Sequence, residues 1–270
     1  MTGTHGASSG IALSSLETPS VPPTVSAGVS CVFTTRRAGV SEAPYDSANL
    51  GGHVGDDAED VERNRRLALA SVGADHLLDA LLVPHQVHGD TIVSLTDNAR
   101  IDEVRDVISR GCDGIICHVP DVPVLLCFAD CVPLILIAPG GSFAVLHSGW
   151  KGTIARIAST GVTRLSQESG CDPSELQVYI GPHIRSVSYE VSPDLAAAFT
   201  AEFSEGVIVG ERNLDLEAAI ITDLEEAGLP SRSISSVGLC THERGDLFFS
   251  HRRDRVTGRH GALAVRLSER

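Results

Sequence analysis

Methionine occurs once in this 270-residue chain, at Met1, and no His-x-His pair occurs anywhere. A copper centre of the His₂Cys type draws on a weak axial Met, and a multicopper oxidase draws on several paired histidines, so both are short of ligands here. Positive charge is also scarce: 21 basic against 35 acidic residues leave a net charge of −14. A general nucleic-acid binder needs a basic face to displace counterions, and that class is excluded. A local basic pocket for an anionic substrate stays open. No apolar run reaches the ~20 clean residues of a membrane span. The most hydrophobic window, Val122–Ala138, is interrupted by Asp130 and Pro133 and reads as core, so no membrane partner is expected. The seven cysteines are an odd number with no CxxC pair. With no basic segment and apolar core at the N-terminus, the expected home is a reducing cytoplasm.

What is present is a globular composition, 42% hydrophobic and 21% charged. The length allows one large core or two small ones, and no repeat or central linker divides the chain. Residues 1–27, rich in Ser, Thr, Gly and Pro, read as a flexible arm, and 28–270 as one catalytic domain. Strands are predicted over Val29–Thr35, Leu81–Val83, Thr91–Leu95, Gly114–Val119, Val124–Phe128, Leu134–Ala138, Phe143–Leu146, Gln177–Ile180, Ser235–Cys240, Leu247–Ser250 and Ala262–Leu267. Helices are predicted over Ala58–Val72, Thr153–Glu168, Pro193–Phe203 and Leu216–Ala227, with Asp56 or Asp57 capping the first. The fold class is therefore α+β, a single domain of mixed β-sheets flanked by helices in a layered sandwich. The long Gly/Ser/Asn/Pro loop from Arg36 to Gly55 reads as functional rather than decorative.

Chemistry concentrates in Val124–Gly152. Asp130 and Cys131 sit between two apolar runs and His147 ends a third; a Leu134–Leu146 hairpin across Pro139–Ser142 brings Cys131 and His147 to one end of adjacent strands. Upstream, His88 falls in Pro84–Asp90, where Gly89-Asp90 suggests the rim of a hairpin. Spacing alone leaves two readings open, inert buried thiols and a metal site. Two His and one Cys suit zinc when a fourth position is left for water or substrate.

Many short motifs then occur in order: FTTRRAGVS (Phe33–Ser41), ANLGGHVGDD (Ala48–Asp57), NRR (Asn64–Arg66), QVHGD (Gln86–Asp90), CDG (Cys112–Gly114), ADCVP (Ala129–Pro133) and HSGWKG (His147–Gly152). YIGP (Tyr179–Pro182), CT (Cys240–Thr241) and FFSHRRDRVTGR (Phe248–Arg259) complete the series. The sequence resembles the YfiH-type laccase-domain family from about Val29 to Leu267. That resemblance implies zinc ligands at His88, Cys131 and His147. It implies phosphorolysis of adenosine, inosine, guanosine and methylthioadenosine to free base and ribose 1-phosphate or its methylthio analogue, and deamination of adenosine. Its implied partners are purine nucleosides and phosphate. Departures are Ala38 for the usual Gly, Ser148 for Ala and His251 for Tyr; Ser148, beside His147, is expected to alter hydrogen bonding around the site. Arg36, Arg65 and Lys151 are candidate phosphate contacts by position, set against ordinary surface charges. Asn49 is a candidate for ribose or base, and Asp130 for acid/base work or for orienting a ligand.

Three rival functions come with discriminating features. A copper-dependent polyphenol oxidase lacks the ligands noted above. A metal-free hydrolase would use Cys131 as nucleophile with His147 or His88 as base, and the family's link to editing of peptidoglycan precursors would make that an amide hydrolysis. A non-enzymatic nucleoside sensor would bind without turnover.

Overall fold

A computed structural model describes residues 24–268. Its strands are β1 (Thr24–Ser26), β2 (Val29–Phe33), β3 (Ile92–Leu95), β4 (Gly114–Cys117), β5 (Val124–Phe128), β6 (Val132–Ile137), β7 (Phe143–Ser148), β8 (Gln177–Ile180), β9 (Ile208–Val209), β10 (Asn213–Leu214), β11 (Ile234–Ser236) and β12 (His260–Arg266). The helices are α1 (Ala58–Ala70), α2 (Ile101–Arg110), α3 (Trp150–Ile154), α4 (Ile157–Ser169), α5 (Pro193–Phe203), α6 (Leu216–Glu226) and α7 (His251–Asp254). A six-stranded sheet runs β11-β8-β6-β7-β4-β3 and a four-stranded sheet β1-β2-β12-β5, with β9 and β10 forming a small separate ribbon.

Strand alternation sorts the apolar side chains into three layers of core. On β6, Ile135 and Ile137 face the other sheet, with Val145 of β7, Leu126 and Phe128 of β5, and Ala262 and Ala264 of β12. The alternate residues Leu134 and Leu136 of β6 and Leu146 of β7 face the helices, meeting Val162 and Leu165 of α4, Phe199 of α5 and Ile220 of α6. The outer face of the smaller sheet, Val32, Leu125 and Leu263, is covered by Ala68 and Leu69 of α1. This is an α-β-β-α sandwich, and because both strands of the β6–β7 pair are buried on two faces, their sequences read as continuous apolar runs.

Several expectations shift. Thr24–Ser26, ascribed to the arm of residues 1–27, pair with Val29–Cys31 through a turn whose central residues, Ala27 (φ 48) and Gly28 (φ 76), suit a two-residue hairpin. Residues 1–23 lie outside the described residues. The helix expected over Thr153–Glu168 is two helices, broken at Arg156 (φ 62), whose guanidinium pairs with Glu202, Asp223 and Glu226 and lies 4.3 Å from the Phe203 ring centroid. Leu247–Ser250 is a turn rather than a strand, with the N–H groups of Leu247 and Phe248 both donating to the Arg244 carbonyl. Burial of Phe248 and Phe249 gives it a strand-like pattern. Leu81–Val83 contributes only an isolated bridge, Leu82 to Val124. The C-terminal half of the expected 235–240 strand is cut off by Gly238 (φ 70). No helix among the described residues is long and apolar enough to cross a membrane.

Candidate metal centre and its cavity

The β6–β7 hairpin is in the register that puts Cys131 beside His147: Val132 faces Ser148 and Pro133 faces His147. Cys131 is the residue before β6, and His147 the penultimate residue of β7, so both lie at one sheet end. His88 arrives differently from expectation. There is no hairpin at Gly89-Asp90: Leu82, before it, bridges Val124 of the other sheet, and β3, after it, is an edge strand paired only with β4. Instead His88 sits at φ 60 in a loop wound around the carboxylate of Asp113. Asp113 Oδ1 accepts from the His88 backbone N–H at 2.9 Å, and Oδ2 from Gly89 at 2.7 Å and Val87 at 3.3 Å. Oδ1 also meets His147 Nδ1 at 2.8 Å. The Asp113 carbonyl accepts from the His147 N–H at 2.7 Å. One fully buried carboxylate thus fixes both histidines of the triad.

One ligand atom each from His88, Cys131 and His147 lies within 4.8 Å of the other two, close enough to share a metal ion. The His88 and His147 rings meet edge-on, centroids 4.8 Å apart. Gly149 permits this closeness: a Cβ there would stand 3.0 Å from Cys131 Sγ and 3.4 Å from His88 Cδ2. Desolvation pushes the Cys131 thiol up, but the His147 and His88 imidazoles outweigh it and bring it down to about 6. For His147, burial disfavours the cation; the Cys131 thiolate and Asp113 outweigh that and raise it to about 9. The pair is therefore poised as thiolate and imidazolium, and with Asp113 on Nδ1 the His147 Nε2 is the atom left to a metal or a thiol. By contrast Cys112 and Cys117 are pushed by burial to about 12 and about 11, as inert core thiols.

The triad forms one wall of a cavity of about 390 Å³, which also has His53, Gln86, Asp130, Trp150, Tyr189, His251, Arg252 and Arg259 on its lining. The volume lies within the range of small-molecule sites, about 300–1,000 Å³. Trp150, the first residue of α3, is 40% exposed at the cavity despite its size, and the Arg252 guanidinium lies 4.9 Å from the Tyr189 ring centroid. Asp130 is strained at φ 96 and holds neighbouring segments in place. Its Oδ1 accepts from the Thr241 hydroxyl at 2.7 Å and its Oδ2 from the Arg252 N–H at 2.6 Å.

The other expected contacts go elsewhere. Asn49 is wholly buried, with its amide spent on Gly51, Asp56 and the Arg259 backbone, so it shapes the loop and does not reach the cavity. Arg36 pairs with Asp46 at 3.1 Å and stacks 4.7 Å from the Phe249 centroid, outside the cavity lining. Lys151 is exposed, its Nζ 5.5 Å from the Trp150 ring centroid, and does not line the cavity. Arg65 lines an adjoining chamber. Ser148 turns away from the triad, its Oγ 2.8 Å from the Thr153 hydroxyl. Arg252, Arg259 and Asp113 were within quoted motifs, yet nothing in the one-dimensional pattern separated these two arginines from their neighbours or tied Asp113 to His147.

The family model described as "Multi-copper polyphenol oxidoreductase laccase" matches residues 30–267. The chain belongs to this family. It is 36% identical over 244 residues to the purine nucleoside phosphorylase YlmD of Bacillus subtilis, covering 84% of each chain. It is 35% identical over 251 residues to a purine nucleoside phosphorylase of Xylella fastidiosa, covering 88% of this chain and 92% of that one. Among solved structures, YlmD of Geobacillus stearothermophilus superposes with a TM-score of 0.81 at 34% identity, covering 89% of this chain and 93% of that one. The YfiH protein of Bacillus licheniformis gives 0.80 at 32%, with the same coverage. The α+β, single-domain, YfiH-like fold is thereby established.

Proposed function

We propose that this chain is a cytoplasmic, zinc-dependent purine nucleoside phosphorylase that also deaminates adenosine to inosine. Adenosine, inosine, guanosine and methylthioadenosine are its substrates, with phosphate as co-substrate. The observation that carries the reading is the pairing of a His-Cys-His donor triad with two arginines, Arg252 and Arg259, in one small-ligand cavity. The donor set fits zinc: two imidazoles and a thiol already drawn toward thiolate, with room left on the cavity side. His88, Cys131 and His147 would hold the ion, which when bound supplies Lewis acidity to the substrate or to water. Among the described residues no second group of three suitable donors is found, so a multicopper arrangement has no second site among them.

The remaining work falls to the chain's own side chains. Trp150 and Tyr189 offer aromatic faces for a purine. The arginines offset the charge of a hydrogen phosphate as its oxygen bonds to the sugar C1′ and the C1′–N9 bond breaks, the phosphate's proton passing to the departing purine. Asp113 keeps a proton on His147 Nδ1 and so keeps Nε2 turned to the site. Incubation with adenosine, with and without phosphate, tests the proposal. Adenine and ribose 1-phosphate appearing only with phosphate, and inosine in both, are expected; no turnover in either refutes it.

A second reading rests on a specific observation. Cys131, His147 and Asp113 form the thiol-imidazole-carboxylate relay of a cysteine hydrolase, suited to amide hydrolysis without metal. Chelation separates the two: loss of activity restored by zinc excludes the metal-free version.

A further inference from the structure

A second chamber of about 300 Å³ adjoins the first, sharing His53, Gln86 and Cys127 as common wall. Its remaining walls include Arg65 and His85, and no Asp or Glu lines it. In a chain with 35 acidic and 21 basic residues that selection is pronounced. Most arginines of this protein are neutralised by a carboxylate neighbour, as Arg36, Arg110, Arg156 and Arg164 are. Arg65 makes no ion pair among the described residues; its Nε donates to the Leu50 carbonyl at 3.0 Å, which fixes the guanidinium plane, and the side chain lines the chamber.

Two further features keep that guanidinium accessible. Gly52 is its neighbour: a Cβ there would make ordinary contact with Arg65 Nη2 at 3.5 Å, so a larger side chain at 52 would compete with a ligand for that nitrogen. Gly52 is not one of the positive-φ glycines, so backbone geometry does not demand glycine there. His53, between the two chambers, is surrounded by like charge: after desolvation, Arg259, His85 and Arg65 all act to lower its pKa. A half-buried guanidinium with free donors, two imidazoles and no acid make a site for a compact oxyanion.

We propose that this side chamber is a phosphate subsite, with Arg65 as its principal contact and Gly52 as the residue that leaves it open. The ligand is a phosphate dianion, delivered either as orthophosphate or as the phosphate ester of a nucleotide whose base occupies the main cavity. The first source rests on the phosphorolysis proposed above and adds Arg65, across the shared wall, to the Arg252 and Arg259 already assigned to that phosphate; the second does not. Arg65 would bind its ligand through charge-assisted hydrogen bonds, whose removal weakens binding by about 10- to 100-fold.

The test is a binding titration of the purified, metal-containing chain, at fixed ionic strength, with orthophosphate, adenosine and adenosine 5′-monophosphate. Wild type is compared with Arg65→Gln, Gly52→Val and Lys151→Ala, and circular dichroism confirms that each variant is folded. Orthophosphate binding weakened about tenfold or more by both Arg65→Gln and Gly52→Val, and unchanged by Lys151→Ala, supports the subsite. If the monophosphate binds at least about tenfold more tightly than adenosine, and Arg65→Gln abolishes that advantage, the ester is the source; otherwise orthophosphate is. Phosphate affinity indifferent to both chamber substitutions overturns the subsite. Because binding is read without turnover, a chain that binds phosphate here yet converts no nucleoside would sink the proposed activity and leave the subsite standing.

Discussion

Removing the Asp113 carboxylate is expected to loosen two of the proposed metal ligands, His88 and His147, at once. In Asp113→Ala four donors lose their acceptor: His147 Nδ1 and the backbone N–H groups of Val87, His88 and Gly89. Each hydrogen bond to a charged group contributes about 1.5–3 kcal/mol. The Val87 contact at 3.3 Å is weak, and the loop N–H groups are part-buried, so water replaces some of that loss. His147, only 3% exposed, has no such recourse. The net cost is about 3–5 kcal/mol, the range for breaking a buried charged pair. For a chain of this size that is roughly a 6–20 °C fall in Tm. Independently, misdirected imidazoles are expected to reduce zinc affinity by about 10–100-fold. Asp113→Asn, which keeps one acceptor and the side-chain shape, should lose less stability but still lose metal affinity. Thermal unfolding and competition against a chelator of known affinity read the two effects separately. An Asp113→Asn chain with wild-type zinc affinity would refute the assignment of Asp113 as the residue that orients His147.

Other outcomes follow from the same geometry. Gly149→Ala retains all three ligands but crowds Cys131 Sγ at 3.0 Å, so zinc affinity should fall, measurable by the same competition. In metal-stripped protein the Cys131 thiolate should persist down to about pH 6, seen as an alkylation rate that rises through that pH and not through 9. The stability consequence cancels: the lowered Cys131 pKa would give stability growing from about 6 to its unfolded 9.0, while the raised His147 pKa gives stability present below 6.5 and lost toward about 9. Between 6.5 and about 9 the folded pair has moved one proton from sulfur to nitrogen without changing the count, so the pair adds no pH dependence to unfolding there. Asp130→Asn should raise KM more than it lowers kcat, because Asp130 holds the Arg252 segment; a collapse of kcat at unchanged KM would make it an acid or base instead. Gly161→Ala, despite its better helix propensity, should destabilise by about 1–3 kcal/mol, since its Cβ would meet Leu146 Cδ1 at 2.5 Å; chemical denaturation measures this.

The triad was legible in the sequence because local rules place two of its members. Short apolar runs joined by Pro139–Ser142 make a hairpin, and a hairpin fixes which strand ends are neighbours. His88 was legible only through the family motif, since a loop wrapped around a distant carboxylate leaves no periodic signal. Asp113 was missed for the same reason: its partners at positions 87–89 and 147 are brought to it by sheet order, through the parallel pairing of β3 with β4 and the antiparallel pairing of β4 with β7. The cations failed differently. Proximity to a motif favoured Arg36 and Lys151, but Arg36 is spent on Asp46 and Lys151 lies outside the cavity, whereas Arg252 and Arg259 are carried in from the far end of the chain. The amphipathic helix α2 was passed over although Val104 and Ile108 plug the edge of the inter-sheet core. The break at Arg156 depends on acids from α5 and α6 that no local reading of Thr153–Glu168 contains.

The most direct test strips the chain with a chelator and titrates zinc back while following adenosine phosphorolysis. Activity should vanish on stripping and return in proportion to zinc, saturating at a single equivalent per chain, as one triad requires. Activity that survives stripping, or that copper restores and zinc does not, would contradict a zinc centre at His88, Cys131 and His147.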